Sequence, residues 1–184
     1  VRDFAEDQDL QVPGLRNNVP ALIQVLKQEA ASLGGRWDRV ILAGISQGAA
    51  VSMHVLANLE VLVPEARNGL AAYMAFSSRT PFAAQSEGDV TKMRKFLSLR
   101  RDTDGDLADS DFFHNTPSMV QHCQNDTTVD LKNGKDTRDL LRAFGASVEW
   151  KEYETGGHWF NAPRGIDDAA EFLQRNVLQN SKAR

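Results

Sequence analysis

The sequence predicts an α/β fold, a mostly parallel sheet with helices on both faces, and three observations lead there. Apolar runs at 40–43 and 69–76, a short candidate at 118–122 and a partly alternating stretch at 148–153 read as four strands. Longer stretches between them carry apolar residues at helical spacing, and parallel neighbours need such crossovers. The 184 residues are 41% apolar and 25% charged, an ordinary globular composition with length enough for one sizeable core. A single domain over 1–184 follows, with residues 82–115 set apart as a polar, acidic insertion or cap.

The elements follow in order. Residues 1–14 are polar and closed by Pro13-Gly14. Leu15, Val19, Leu22, Ile23, Leu26, Ala30 and Leu33 then share a helical face, and Gly34-Gly35 supplies the left-handed backbone that ends a helix. Val40 to Ala43 is all apolar, as a strand buried on both sides is. Gly44-Ile45-Ser46-Gln47-Gly48 interrupts it, and Ala49 to Leu59, small and apolar with only His54 and Asn58 strongly polar, reads as a buried helix. Gly69 to Phe76 is the second strand, Ser118 to His122 the third after Pro117, and Val148 to Tyr153 the fourth. Leu131, Leu140, Leu141 and Phe144 mark a helix ended by Gly145; Ile166, Ala169, Ala170, Leu173 and Val177 mark another. The segment from Pro81 to Thr116 is longer than most connections in compact domains, which makes it functional or mobile.

Charge and cysteine content exclude several classes. Lys and Arg number 21 against 25 Asp and Glu, a net charge of -4 that gives no attraction for phosphate backbones, so no nucleic-acid partner is expected. Cys123 has no second cysteine to bridge to, and no run approaches the roughly 20 apolar residues of a spanning helix. With no secretory signal at the first residues, a cytoplasmic location and no transmembrane segment are expected. A chain that starts at Val1 is expected to be part of a longer one.

The pentapeptide 44–48 has the form G-x-S-x-G. Between a strand and a helix, small residues let the backbones approach and the serine hydroxyl project, while the helix N-terminus aims N–H groups at developing negative charge. Ser46 is the candidate nucleophile and the Gln47 N–H an oxyanion donor; the alternative is a glycine-flanked turn with a solvated serine. A base and then an orienting carboxylate are needed, from the ends of later strands. His114, His122 and His158 lie beyond the helix that follows the turn. His158 is best placed, because Gly156-Gly157 lets the chain bend back over the strand ends. Asp126 and Asp130 both follow the third strand, and topology alone does not choose between them. Asp126 could equally make an Asx turn or a helix cap.

Other features read more plainly. Asp102, Asp104 and Asp106 suggest a calcium loop, but Leu107 and Phe113 stand where its glycine and glutamate belong, so no metal is expected. Cys123 lies outside any strand-turn-helix setting and reads as a small buried residue. Trp37, Trp150 and Trp159 read as core or rim aromatics.

With these residues in view, the chain resembles the phospholipase/carboxylesterase family, which includes acyl-protein thioesterases and lysophospholipase-type carboxylesterases. Residues 44–50 look like that family's G-F-S-Q-G-G turn. His122-Cys123-Gln124-Asn125-Asp126-Thr127-Thr128-Val129 looks like its H-G-x-x-D-x-x-V segment, and Gly157-His158 like its terminal G-H. The similarity covers about 15–80 and 116–178. Cys123 stands where the family has glycine.

The resemblance implies an α/β-hydrolase-like fold and carries the acid role onto Asp126. It implies a cofactor-free serine hydrolase that cleaves carboxylic esters or acyl thioesters through an acyl-enzyme. Small acyl esters, lysophospholipids and S-acylated proteins are the substrates it suggests. The family's first strands and its H-G-x-G-D loop have no counterpart here, so an N-terminally truncated chain with an uncovered apolar edge at the Val40 strand is expected. That loop supplies a second oxyanion N–H, whose loss typically costs about 10²- to 10³-fold in turnover. A non-catalytic pseudo-hydrolase module and a serine peptidase of the same fold are the alternatives.

Overall fold

The computed structural model describes residues 7–99 and 111–178. Asp102, Asp104, Asp106 and Leu107 of the acidic stretch lie outside these residues. Helix α1 (Val12–Ser32) buries Leu15, Val19, Ile23, Leu26 and Ala30 of the predicted stripe, while Leu22 and Leu33, also placed on that face by spacing, are exposed. Pro13 falls in the first turn, where its missing N–H costs nothing, so Pro13-Gly14 opens the helix rather than closing the stretch before it. Gly35, at φ 80°, donates its N–H back to the Ala30 carbonyl at 2.8 Å and ends the helix.

Strand β1 (Ile41–Ile45) leads to Ser46 and helix α2 (Gln47–Leu62). Strand β2 (Ala72–Phe76) begins three residues later than its apolar run. Gly69 has φ 94° and the Leu70 N–H is taken by Thr116 Oγ1 at 3.0 Å, which holds this stretch off the ladder. Helices α3 (Ala83–Ser86) and α4 (Val90–Leu97) come next, then strand β3 (Ser118–Cys123), helix α5 (Leu131–Ala143), strand β4 (Val148–Tyr153) and helix α6 (Arg164–Leu173). A wider turn over Gln174–Leu178 extends α6.

The four strands pair in the order β1-β2-β3-β4, all parallel, with Ile45 beside Phe76, Phe76 beside Gln121 and Cys123 beside Tyr153. All carboxyl ends therefore share one margin of the sheet. Alternation sends Tyr73, Ala75 and Val120 into a core with α1, α2 and α5. Ala72, Met74, Phe76 and Met119 pack on the other face against Phe172 of α6. Helices thus cover both faces, and β2 and β3 are buried throughout for that reason.

The described part of the 82–115 segment joins the larger core. The Asp89 side chain caps α4 by accepting the Thr91 N–H at 2.7 Å. Met93 and Leu97 are fully buried, Arg94 bonds the Ala57 carbonyl and pairs with Glu60, and Arg16 reaches the Leu97 carbonyl at 2.9 Å. Phe112 and Phe113 are buried as well. Among the described residues no helix is long and apolar enough to cross a membrane.

Two consequences are testable. Among the described residues β1 pairs only with β2, and Ile41 is 40% exposed on that margin. An open apolar edge templates pairing with another chain. Ile41→Lys is expected to reduce concentration-dependent light scattering without changing the far-UV spectrum; equal scattering would exonerate this edge.

His54, wholly buried in α2 and set edge-on to Phe82, has its pKa lowered from 6.5 to about 4 by burial, partly offset by the Pro81 backbone. Between those values the unfolded chain binds a proton that the native ring refuses, so stability falls as pH drops from 6.5 toward 4. Denaturation midpoints for His54→Phe should lose this acid limb. A limb of undiminished size would assign it to another group.

Candidate active site

Ser46 sits where β1 turns into α2, with φ 53° and ψ −120°, a backbone conformation that is strained for any residue but glycine. Two bonds hold it there: its N–H donates to the Phe76 carbonyl at 3.0 Å, and its carbonyl accepts from Ala50 at 3.1 Å. A Cβ at Gly44 would lie 2.6 Å from the Gly48 carbonyl and the Ala49 nitrogen, so the approach of strand to helix demands glycine at 44. At Gly48 a Cβ would meet nothing within 4 Å. The Gln47 N–H belongs to the first turn of α2, where helical bonding leaves amides without partners.

The loop after β3 carries Asp126. Its Oδ1 accepts from the N–H groups of Thr128 and Val129, each at 2.9 Å, so the carboxylate does build an Asx turn. Its Oδ2 is left for another purpose, 2.8 Å from His158 Nδ1. Asp126's side chain is fully buried, which alone would raise its pKa. The Val129 amide, the His158 ring and the Thr128 amide outweigh burial and hold it below the usual 3.8. The turn that shapes the loop thereby keeps the acid ionised.

His158 arrives from the loop after β4. Gly156 at φ 138° and Gly157 at φ 66° make the bend, and a Cβ at Gly156 would sit 2.6 Å from Cys123 Sγ. Asn125 Oδ1 accepts the Gly157 N–H at 2.8 Å, tying this loop to the acid's own. Asn161 braces the far side, donating to the Thr155 carbonyl and accepting from Gly165. His158 Nε2 ends 2.7 Å from Ser46 Oγ. With Nδ1–H donated to Asp126, Nε2 is free to accept the serine proton. Trp159 beside it is 64% exposed, while Phe160 packs on Phe76 at 4.7 Å.

Ser46, Asp126 and His158 therefore meet. Asp130 does not join them: it caps α5, accepting the Lys132 N–H at 2.7 Å. His114 is exposed before β3, toward the opposite margin. Cys123 is buried, and burial with the nearby Asp126 raises its thiol pKa, as suits an inert residue. No group of three His, Cys, Asp or Glu suited to a metal occurs among the described residues. A cavity of about 470 Å³ lined by Leu33, Arg39, Asn68, Asn115 and Leu178 lies by the amino ends of the strands, remote from these loops. Asn125 is the residue that sequence reasoning missed, since its partner, a backbone amide 32 positions away, leaves no local signal.

No protein-family model matches the chain. It is 26% identical over 140 residues to acyl-protein thioesterase 1 of Gibberella zeae, covering 76% of this chain and 49% of that one. The chain thus spans about half the length of this relative. Among solved structures, esterase PE8 matches with a TM-score of 0.65 at 21% identity over 95% of this chain and 68% of its own. Acyl-protein thioesterase 2 of Zea mays matches with a TM-score of 0.64 at 19% identity over 90% of this chain and 66% of its own. The fold is that of the α/β hydrolases.

The two glycines of the turn give a paired test. Gly44→Ala forces an overpacked contact with backbone and is expected to cost ~1–3 kcal/mol. Gly48→Ala, with open space and a better helix former, should be neutral or slightly stabilising. Urea midpoints check the pair; equal effects would mean that the strand–helix approach is looser than described.

Proposed function

We propose that the chain is an acyl-protein-thioesterase-like member of the phospholipase/carboxylesterase family and a serine hydrolase of carboxylic esters or acyl thioesters, a reading supported by its similarity to acyl-protein thioesterase 1 and by its fold. The observation that carries the reading is the unbroken chain from Asp126 Oδ2 through His158 to Ser46 Oγ, at 2.8 and 2.7 Å.

In this reading Ser46 Oγ attacks the acyl carbon as His158 Nε2 takes its proton. The carbonyl oxygen becomes an oxyanion that accepts from the Gln47 N–H at the head of α2. When the tetrahedral intermediate collapses, the bond to the alcohol or thiol breaks and His158 returns the proton to that leaving group. Water then attacks the acyl-enzyme, with His158 as base, and releases the carboxylic acid and free Ser46. Asp126 holds Nδ1–H throughout and stabilises the imidazolium. Ester and thioester groups on small acyl compounds, lysophospholipids or S-acylated proteins are the substrates proposed. The residues of the 82–115 segment are assigned no part in the chemistry.

A fluorophosphonate probe tests the proposal. Wild-type protein should label and Ser46→Ala should not, while Asp126→Asn should label on the order of 10³- to 10⁴-fold more slowly. A folded wild type that never labels would favour a non-catalytic module. Parallel assays with a p-nitrophenyl ester, an acyl thioester and a peptide amide should show turnover of the first two; an amide cleaved as fast would favour a peptidase.

A further inference from the structure

A second imidazole stands behind the acid. We propose that His122 is a positioning residue for Asp126, holding the acid's turn closed through one N–H directed at the Val129 carbonyl and the Asp126 carboxylate. The proposal rests on Asp126 being the acid of the serine hydrolase.

Strand alternation sends His122 to the face covered by α5, next to Val120's side of the sheet. The side chains of His122 and Asp126 are both fully buried. His122 Nε2 lies 2.9 Å from the Val129 carbonyl oxygen and 3.5 Å from Asp126 Oδ2. A carbonyl and a carboxylate only accept, so Nε2 carries the hydrogen. The bond to Val129 is the strong one, and the contact at 3.5 Å is an N–H dipole facing a charge rather than a second full bond.

The other ring nitrogen fixes the protonation state. Nδ1 is buried without a hydrogen-bond partner among the described residues. It faces Gly134 of α5, where a methyl group would collide with Nδ1 and come within 2.9 Å of Cγ. A proton on Nδ1 would be a buried donor facing aliphatic backbone, a penalty of about 1–3 kcal/mol. The ring hydrogen is therefore placed on Nε2. Gly134 makes the room, and Trp150, whose Cη2 lies 3.1 Å from the same methyl position, closes the pocket from β4.

The effect on the acid follows. Val129 is gripped at both ends, its N–H by Asp126 Oδ1 and its carbonyl by His122. With the turn closed, Oδ1 is held by the loop's own amides and Oδ2 is set between the His122 N–H at 3.5 Å and His158 Nδ1 at 2.8 Å. Removing the His122 donor frees the Val129 carbonyl, lets the turn relax and allows Oδ2 to swing from Nδ1. Misplacement of that order is felt in the chemical step more than in substrate binding.

Two variants separate donor from packing. In His122→Gln the amide nitrogen can reach the Nε2 position, whereas His122→Phe keeps a ring and has no donor. For protein that labels with the fluorophosphonate, the Gln variant should keep kcat within about threefold, and the Phe variant should lose about 10- to 100-fold in kcat with KM within about twofold. The low-field proton of His158 bound to Asp126 should persist in Gln and vanish in Phe. Nitrogen-edited spectra of the wild type give a readout that needs neither turnover nor a folded variant: His122 should show a slowly exchanging Nε2–H and an unprotonated Nδ1. An Nδ1–H tautomer, a doubly protonated ring, a Phe variant with wild-type kcat, or equal losses in two folded variants would overturn the proposal. A wild type that fails to label strikes at the hydrolase reading instead, and the tautomer remains readable in that case.

Discussion

Three strand spacings separate the first strand of this sheet from the last, about 14 Å at ~4.8 Å each, and a histidine from the end of β4 must cross that gap to meet a serine at the end of β1. The loop after β4 makes the crossing, and the meeting of the two side chains depends on it. Two consecutive left-handed glycines turn it inward. Gly156 then passes over the end of β3 with its backbone against Cys123 Sγ, and Phe160 packs over Phe76 at the end of β2. Asn125 holds the loop midway by the Gly157 amide. The imidazole reaches Ser46 because each intervening strand end offers the loop a surface to rest on.

The acid is placed by a different economy. One carboxylate oxygen accepts two amides of its own turn and the other faces the base, so loop geometry and side-chain orientation are fixed by the same group. This also explains why a fully buried carboxyl stays charged: the Val129 amide, the His158 ring and the Thr128 amide together oppose the burial that would neutralise it. The turn and the contact with His158, alternatives when read from residues alone, are made by one carboxylate.

What the sequence made legible is what depends on local pattern. The strands and the long helices follow from runs and spacings, and Ser46 from a pentapeptide whose strand–turn–helix setting could be read directly. Gly34-Gly35 likewise announced a helix end that its backbone dihedrals bear out. What escaped depends on distant partners. Pro13-Gly14 reads as a break, yet a first helical turn tolerates both. Helix α4 is half polar and only eight residues long, and its place against α1 and α2 is set in part by Arg94 with Glu60 and Arg16 with Leu97, pairs 34 and 81 residues apart. The choice of Asp126 over Asp130 needed the family resemblance, because both follow β3, and only the crossing loop shows which of them faces His158. His122 is a candidate base by sequence position, and only the burial of its Nδ1 against Gly134 shows why it is better suited to hold a turn.

The central claim is that Ser46, His158 and Asp126 act as one unit, with the acid working only through the base. A double-mutant cycle on the rate of Ser46 phosphonylation tests this most directly, using His158→Ala, Asp126→Ala and both together. If Asp126 acts through His158, the double variant should react as slowly as His158→Ala and no slower. Losses that simply add would mean that the two side chains act independently, and the relay described here would be wrong.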